Sequence, residues 1–360
     1  MTAAIPLVWS DAHRRHAPTA EIWLGVRTPA VELPVRADAI RAALEAAGHP
    51  VVAATAHDDA ALEAVHDPAL LAFLAGAHAD WTAAGLPDDP GQPEVVPYFF
   101  PNPALLGTIA PTVPVATWAR TGFFAFDTMT PVGPGTWAAA RGGADAALTA
   151  CDLVAGGAPA AYACCRPPGH HVTRAAYGGA CYLNNAAIAA AALRDRLGDP
   201  VAIVDVDAHH GNGAQSIFYA DGGVRTGSVH VDPAQGWFPH FLGFAGEAGE
   251  GDGTGANRNL PLPPGSGDRP WVAAVEELAR WASGACALVV ALGVDAAAGD
   301  PESPLQVTQD GYRAAGRALG ALGLPTVVVQ EGGYDPDTIG GLVAATLAGL
   351  ADGIWNGGHG

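Results

Sequence analysis

The stretch DVDAHHGNG, residues 205–213, places two carboxylates and an imidazole at every second position. Alternate side chains of an extended strand point to one face, so Asp205, Asp207 and His209 would point the same way. Such a group predicts a metal site, because carboxylates are seldom buried without a cation or a hydrogen-bonding partner. The alternative is a hydrogen-bonded Asp–His network that caps loops.

A third metal ligand must come from another part of the chain. Asp295 ends the apolar run ALVVALGVD and would lie at the end of a different strand. Together with Asp207 and His209 it gives three protein ligands. Three ligands leave one position open on zinc, which is typical of a catalytic site.

A second pattern, RPPGHH at residues 166–171, puts two histidines side by side after a rigid turn. If both flank the metal, one imidazole can remove a proton from a water molecule while the other holds positive charge. Each ring needs a partner for its second nitrogen, and a carboxylate favours the charged form more than an amide does. We therefore expect His170, paired with Asp205, to be charged. His171, paired with Asn212, would be nearer neutral and would act as the general base.

The motif EGGY ends with Tyr334, whose phenol O–H could polarise a carbonyl opposite the metal. Gly332 and Gly333 permit tight or positive-φ backbone, which can aim the ring into the site. Taken alone, the motif is better explained by a structural tyrosine on a glycine turn. Its occurrence with the other motifs favours the catalytic interpretation.

These motifs directly follow apolar runs, and Ala-rich segments separate the runs. Strands are predicted to end at residues 165, 207, 232, 295 and 330. Helices are predicted over 135–155, 184–197, 270–283, 308–322 and 339–350. This alternation indicates an α/β fold with an open, mostly parallel sheet and helices on both faces. Ligands of such sheets bind outside the carboxyl ends of the strands, where the motifs lie.

No linker divides the chain, so we expect a single domain over residues 1–360. Two segments look irregular, at about 10–34 and about 85–107. Long ordered loops usually shape a site or an interface.

The composition excludes several classes of protein. A net charge of −19 argues against a nucleic-acid partner and is compatible with a cationic substrate or a soluble acidic surface. The five cysteines form no CxxC motif and are odd in number, which indicates reduced thiols and a cytoplasmic location. We find no signal peptide and no apolar run of the ~18 residues that a membrane span needs.

Five motifs occur together in one order: RPPGHH, GGACYLNNAAIAA, DVDAHHGNG, GVDAAAGDP and EGGY. In this the chain resembles the histone deacetylase superfamily, with its arginase-like fold, and within it the bacterial acetylpolyamine amidohydrolases. The resemblance implies one zinc ion per chain and a small-molecule acylated amine as substrate. It implies the metal ligands Asp207, His209 and Asp295, and the catalytic residues His170, His171, Asp205, Asn212 and Tyr334.

The resemblance also implies a structural potassium ion, held by Asp205, Asp207, His209 and Ser228. The implied substrate tunnel is lined by Phe238, Gly179 and Ala180. Members of this branch are commonly homodimers in which a loop like that at about 10–34 narrows the partner's entrance.

Two departures from the family pattern bear on the substrate. Ala180 stands where the family usually has an aromatic residue, which should widen the tunnel. Asp127 is the one acidic residue in the stretch where the polyamine branch catches the distal amine. A bulkier or less cationic amide than an acetylpolyamine therefore stays open as the substrate.

The leading hypothesis is a zinc-dependent amidohydrolase that removes an acyl group from such an amine. A protein lysine deacetylase is the alternative within the same chemistry. A two-manganese ureohydrolase, such as an arginase, would want further carboxylates where this chain has His210-Gly211-Asn212 and Ala296-Ala297. A non-catalytic ligand-binding relative is the third possibility. A two-carboxylate site could also accept Fe(II) or Co(II).

Overall fold

The protein is described by a computed structural model that covers residues 4–86 and 94–357. Its strands are β1 (Leu7–Trp9), β2 (Ala20–Trp23), β3 (Val26–Pro29), β4 (Val51–Ala53), β5 (Ala160–Ala163), β6 (Val201–Asp205), β7 (Val224–Val231), β8 (Asn257–Leu262), β9 (Ala287–Leu292) and β10 (Thr326–Gln330). Eight of them form one sheet in the order β4-β1-β5-β10-β9-β6-β7-β8. All its neighbouring strands are parallel, which confirms the predicted sheet.

Helices connect most of these strands. They are α1 (Val35–Ala46), α2 (Ala60–Glu63), α3 (Pro68–Ala83), α4 (Pro103–Leu106), α5 (Thr117–Phe124), α6 (Thr136–Ala155), α7 (Asn185–Leu197), α8 (Asn212–Phe218), α9 (Asp268–Ala282), α10 (Gln309–Gly320) and α11 (Ile339–Gly357). The five predicted helices correspond to α6, α7, α9, α10 and α11, although α11 extends beyond the predicted end at residue 350. Of the helices in the described residues, none combines the length and apolar character that crossing a bilayer requires.

The sheet separates two apolar cores. Along β5, Ala161 and Ala163 belong to one buried cluster and Tyr162 to the other, because successive side chains point to opposite faces. Helices α6 and α7 cover the first face, and α1, α9, α10 and α11 cover the second. Both faces of the central strands are therefore buried, which is why these strands read as continuous apolar runs.

The four strands that run into the chemical motifs are contiguous. They are β5, β10, β9 and β6, at the centre of the sheet. The histidine pair follows β5, which does not neighbour β6 because β10 and β9 lie between them. The loop after β5 extends along this edge as far as α8, where Gly213 N donates to His170 O at 2.9 Å.

The N-terminal segment is more regular than predicted. Strands β2 and β3 form an antiparallel hairpin in which Trp23 pairs with Val26. The two residues between them, Leu24 and Gly25, have φ of 50° and 76°. A two-residue turn with positive φ at both positions matches the right-handed twist of a hairpin. In the other segment expected to be irregular, residues 87–93 lie outside the described residues, and α4 is the one helix in the remainder.

His66 has a structural position just before α3. It is fully buried, accepts a hydrogen bond from Asn184 N at Nε2 (2.9 Å), and its Nδ1 is 3.1 Å from Thr173 O. Because Nε2 accepts, Nδ1 carries the proton and donates, so the ring is neutral. Burial lowers the pKa of His66 to about 4. The ring joins the end of the histidine loop to the start of α7.

We expect His66→Gln to weaken the acid sensitivity of folding. A histidine whose pKa is depressed in the fold takes up its proton on unfolding, so the free energy of unfolding falls as the pH drops from about 6.5 towards 4. Between pH ~7 and ~4.5, the variant should lose about 2 kcal/mol less of this free energy than the wild-type protein. Urea denaturation at the two pH values measures the difference. His240→Gln, at an exposed site, is the matched control. An equal loss in His66→Gln and the wild-type protein would contradict the assignment.

Candidate active site

Two carboxylates and one imidazole converge at the carboxyl ends of β6 and β9. Asp207 and His209 follow β6, Asp295 follows β9, and one donor atom from each lies within 4.8 Å of the others. His209 Nδ1 is 3.2 Å from Asp207 Oδ1 and 3.0 Å from Asp295 Oδ2. Both aspartates are fully buried. The structure thus brings together the three residues predicted as metal ligands, with a donor set that suits zinc.

The electrostatics of this trio fit a divalent cation. Burial and the charge of Asp207 raise the pKa of Asp295 to about 7. Burial lowers the pKa of His209, but its hydrogen bonds to Asp207 and Asp295 outweigh burial and hold that pKa well above its ordinary value. Bound protons or a divalent cation can each neutralise the buried carboxylates. Without a metal ion the trio therefore holds protons, and binding of the metal would displace them.

The carboxylates occupy space that is free because two neighbouring residues are glycines without side chains. A Cβ on Gly293 would lie 1.9 Å from Asp207 Oδ2, and one on Gly332 would lie 2.4 Å from Asp295 Oδ2. Gly332 N also donates to Asp207 Oδ2 at 2.8 Å. Gly332 is therefore required because the carboxylates approach its backbone closely. Gly333 is the residue of this turn with a positive φ, of 118°. Gly293 was not predicted from the sequence, although a glycine directly after a buried strand signals close approach of another group.

The adjacent histidines lie side by side, with ring centroids 4.0 Å apart, and have different partners. His170 Nδ1 is 2.9 Å from Asp205 Oδ2, and His171 Nδ1 is 2.6 Å from Asn212 Oδ1. Burial opposes a charge on His170, but the carboxylates of Asp207 and Asp205 outweigh it and raise its pKa to about 10. Burial, followed by the charge of His170, holds the pKa of His171 well below its ordinary value. One ring is therefore charged and its neighbour neutral.

Glu331 fixes the backbone of this pair and was not found in the sequence. Its Oε2 accepts hydrogen bonds from Gly169 N at 2.6 Å and from His170 N at 3.1 Å. The side chain is fully buried, and burial raises its pKa to about 7. The first letter of EGGY was available as a signal, but only the fold shows that β10 lies beside β5.

Tyr334 is held from both its ring and its backbone. The guanidinium of Arg36 lies over the ring, with Cζ 4.5 Å from the ring centroid, and Tyr334 N donates to Asp300 Oδ2 at 2.8 Å. Arg36 also donates to the carbonyls of Gly333 and Glu331. Burial raises the pKa of the Tyr334 phenol well above its ordinary value, so the hydroxyl keeps its proton and can donate. Arg36 was missed because it belongs to no motif, and Asp300 was missed although it lies within GVDAAAGDP.

The residues predicted to hold potassium divide between two places. Asp205 and Ser228 are register partners on β6 and β7 and line one small cavity together with His210. Asp207 and His209 belong to the metal trio and do not line this cavity. Ser228 Oγ lies 2.8 Å from His230 Nδ1.

Aromatic rings lie beside His171 and His209. The ring centroid of Phe238 lies 4.9 Å from that of His171 and 6.4 Å from that of His209. Phe126 lies 6.4 Å from Phe238 with its ring nearly parallel, at 25°. A Cβ on Gly179 would be 2.3 Å from the ring of His171. Phe238 and Gly179, both predicted for the tunnel, therefore border the histidine pair.

Asp127 is not available to bind a distal amine. Its Oδ1 accepts hydrogen bonds from Met129 N and Thr130 Oγ1, both at 2.9 Å, and its Oδ2 accepts one from Gly179 N. These bonds anchor the backbone next to Ala180. The carboxylate that reaches this region is Glu21 of β2, whose pKa is raised to about 7 by burial and by the charges of Glu302 and Asp127. Glu21 was not predicted from the sequence as a residue of the site.

Comparisons with known proteins agree with this geometry. The family described as the histone deacetylase domain matches residues 30–350. The chain is 40% identical to the acetylpolyamine amidohydrolase of Mycoplana ramosa over 348 residues, which cover 96% of this chain and 99% of that protein. It is 44% identical to the acetylpolyamine amidohydrolase of Burkholderia pseudomallei over 313 residues, 86% of this chain and 87% of that protein. The crystal structure of an acetylpolyamine aminohydrolase from Burkholderia pseudomallei superposes with a TM-score of 0.90 at 40% identity, covering 97% of this chain and 99% of that chain.

We expect Asp295→Asn to weaken zinc binding roughly 100-fold or more, because the amide keeps the shape of the ligand but removes its charge. Competition with a chromogenic chelator measures the affinity. Asp310→Asn, the same change at an exposed site, is the control and should bind zinc as the wild-type protein does. Unchanged affinity in Asp295→Asn would show that Asp295 is not a ligand.

Proposed function

The chain belongs to the histone deacetylase family, and on that premise we propose that it is a zinc-dependent amidohydrolase that deacylates an amine such as an acetylpolyamine. The observation that carries the proposal is the trio of Asp207, His209 and Asp295, with both carboxylates buried, beside one charged and one neutral histidine. Amide hydrolysis needs a polarised carbonyl, an activated water and a proton for the departing amine. The site has a candidate group for each.

Asp207, His209 and Asp295 would hold the zinc ion. When bound, zinc supplies Lewis-acid polarisation of the amide carbonyl and of water. The three ligands bring two negative charges and one neutral nitrogen, so the loaded site would be close to neutral and could stay buried.

We propose potassium for the cavity lined by Asp205 and Ser228, where it would offset part of the surrounding negative charge.

His171 is the general base in this proposal. Asn212 Nδ2 donates to His171 O at 3.3 Å, which leaves Asn212 Oδ1 facing His171 Nδ1. An amide oxygen only accepts, so Nδ1 carries the proton of the neutral ring. The lone pair is then on Nε2, and this atom takes a proton from the attacking water.

His170 has a different role because it is already charged. Its Nδ1 donates to Asp205 Oδ2, and its Nε2 lies 3.9 Å from Asp207 Oδ1. A fixed positive charge here favours the anion that forms on the substrate and keeps the neighbouring His171 neutral. The departing amine receives its proton from the histidine pair.

Tyr334 completes the site as a hydrogen-bond donor. Its phenol is protonated, and the stacked guanidinium of Arg36 limits rotation of the ring. A preorganised donor aimed at the developing oxyanion stabilises the transition state more than the ground state.

The chain's charge and its relatives support an amine substrate. The net charge of −19 would attract a cation at long range, and the relatives named above are acetylpolyamine amidohydrolases.

We propose a homodimer through the β2–β3 hairpin, on the ground that Trp23, Leu24 and Val26 at its tip are largely exposed.

Removing the hydroxyl of Tyr334 should lower kcat by roughly 10²–10³-fold, the usual cost of losing one oxyanion donor. Metal content should stay at the wild-type level, because the phenol is not one of the proposed ligands. Steady-state hydrolysis of an acetylated diamine by Tyr334→Phe, with metal analysis of the same sample, measures both. Tyr98→Phe, at an exposed site, is the control. A kcat within about threefold of the wild-type value would reject the role.

Asn212→Asp should move the acidic limb of the kcat/KM profile to higher pH by about one to two units. A carboxylate in place of the amide oxygen stabilises protonated His171 and raises its pKa. The base is then lost at a higher pH than in the wild-type protein. Asn102→Asp makes the same change at an exposed site and should leave the limb in place. An unshifted limb in Asn212→Asp would exclude His171 as the group that it reports.

A further inference from the structure

We propose that His170, Cys181 and Glu331 form a second metal site, which binds a divalent cation such as zinc when that metal is in excess and thereby inhibits the enzyme. Within residues 4–86 and 94–357, this His–Cys–Glu group is the one set besides Asp207, His209 and Asp295 whose metal-binding atoms all lie within 4.8 Å of one another. The site itself does not depend on the proposed function, whereas its inhibitory effect rests on that function.

The three donor types of the group suit zinc. Thiolate, imidazole and carboxylate are the ligands that zinc takes in proteins, with bonds of about 2.0–2.3 Å. Tetrahedral bonds of that length place the ligand atoms about 3.3–3.8 Å apart, so donors within 4.8 Å close on an ion by moving roughly 1 Å or less. The sulfur ligand favours zinc and similar transition metals over magnesium or calcium, which prefer oxygen.

Glu331 brings an oxygen atom that the fold leaves without a partner. The side chain is fully buried, and its Oε2 accepts the hydrogen bonds from Gly169 N and His170 N. Within the part of the chain that the structure describes, no group donates to Oε1, which is buried as well. A buried carboxylate oxygen without a donor is costly. A cation in the His–Cys–Glu group would stabilise it.

The segments that carry these side chains have a fixed backbone. Glu331 directly follows β10, its N donates to Leu292 O at 2.9 Å, and its O accepts from the Arg36 guanidinium at 2.7 Å. Cys181 N donates to Gly178 O at 3.1 Å, which closes the turn before it. The ligands are therefore held in place before any ion arrives, which lowers the cost of binding one.

Binding of the ion leaves the charge of the buried site unchanged. His170 and the Cys181 thiol each carry a proton in the metal-free group, and burial raises the pKa of that thiol well above its ordinary value. A divalent cation that binds both, with Glu331 ionised, displaces these two protons, so two positive charges leave as two enter. Removal of the thiol proton makes this site weaker than the first one. It therefore fills only after the first equivalent of metal.

An ion in this group would lie next to the proposed base. The ring centroids of His170 and His171 are 4.0 Å apart, and Gly179, two residues before Cys181, lies against the ring of His171. The ion can thus enter through the substrate opening. Its charge would oppose protonation of His171 and weaken the base. Because Nδ1 of His170 donates to Asp205, the ion would take Nε2, which then has no hydrogen to offer the anion on the substrate.

Cobalt(II) distinguishes the two metal sites by spectroscopy. A thiolate ligand gives Co(II) an intense charge-transfer band in the near ultraviolet, which the set of Asp207, His209 and Asp295 cannot produce because it has no sulfur. Co(II) added to protein that holds one equivalent of zinc should produce this band and reach saturation at one further metal ion per chain. Metal analysis of the same sample checks that the zinc stays bound.

Three variants assign the band to these residues. Cys181→Ser removes the sulfur and should abolish it. Glu331→Gln keeps an acceptor for the two N–H groups but removes the charge, so it should weaken cobalt binding at least tenfold. Cys165→Ser is the matched control and should keep the band, since Cys165 is also buried but its thiol donates to Gly143 O at 3.2 Å. Thermal melting establishes that each variant folds, and Cys181→Ala replaces Cys181→Ser if the serine variant does not.

Hydrolysis of an acetylated diamine, at one equivalent of zinc and in about tenfold excess, measures the inhibitory effect. Each protein is compared with its own rate at one equivalent. The wild-type protein and Cys165→Ser should lose at least fivefold in excess zinc, because the ion then lies beside His171. Cys181→Ser should lose less than twofold.

The outcomes separate the two proposals. Absence of the band in the wild-type protein, or a band that survives in Cys181→Ser, overturns the second metal site and leaves the proposed function untouched. A band without the difference in inhibition overturns the inhibitory effect. Failure of the wild-type protein to hydrolyse the amine at one equivalent of zinc overturns the proposed function and the inhibitory effect with it, whereas the cobalt spectra still decide whether the site exists.

Discussion

Two carboxylates that are fully buried within hydrogen-bonding distance of the same imidazole are the constraint on which the site depends. Asp207 and Asp295 could not both remain ionised there without a positive charge, and His209 lies between them. The surrounding backbone stabilises the two carboxylates in these positions. Gly293 and Gly332 leave room for the carboxylate oxygens, and backbone N–H groups donate to them. A site of this kind is suited to a divalent cation, whose charge replaces the protons that the trio otherwise holds.

A second set of buried charges connects the catalytic loops to the N-terminal part of the chain. Glu32 pairs with Arg36 at 2.5 Å and with Arg166 at 2.8 Å, and all three side chains are buried. Arg166 opens the RPPGHH loop, and Arg36 donates to the backbone of the segment that carries Tyr334. Removing one partner of such a cluster leaves an uncompensated buried charge, so the three form a unit. The histidine pair and the tyrosine are thereby positioned by α1, which contributes no reacting group.

The sequence was most informative where a motif lies at the end of an apolar run. The parallel sheet, the five long helices and the convergence of Asp207, His209 and Asp295 all follow from that pattern. The three-residue strands β1 and β4 are too short to show a period, and Pro261 interrupts the pattern of β8. Arg36 and Glu331 could not be found because their roles depend on contacts between distant segments, such as Arg36 with the carbonyl of Gly333. The role of Asp127 could not be predicted, since its hydrogen bonds to Gly179, Met129 and Thr130 exist only in the folded chain.

The central claim is that one divalent cation, seated on three convergent ligands, makes this chain an amide hydrolase. Titration of zinc into the metal-free protein, with hydrolysis of an acetylated diamine followed at each addition, tests it most directly. The account predicts that activity rises in proportion to added zinc and reaches its plateau at one equivalent per chain. A plateau at two equivalents, as a two-metal ureohydrolase would require, or activity that does not depend on the metal, would contradict it.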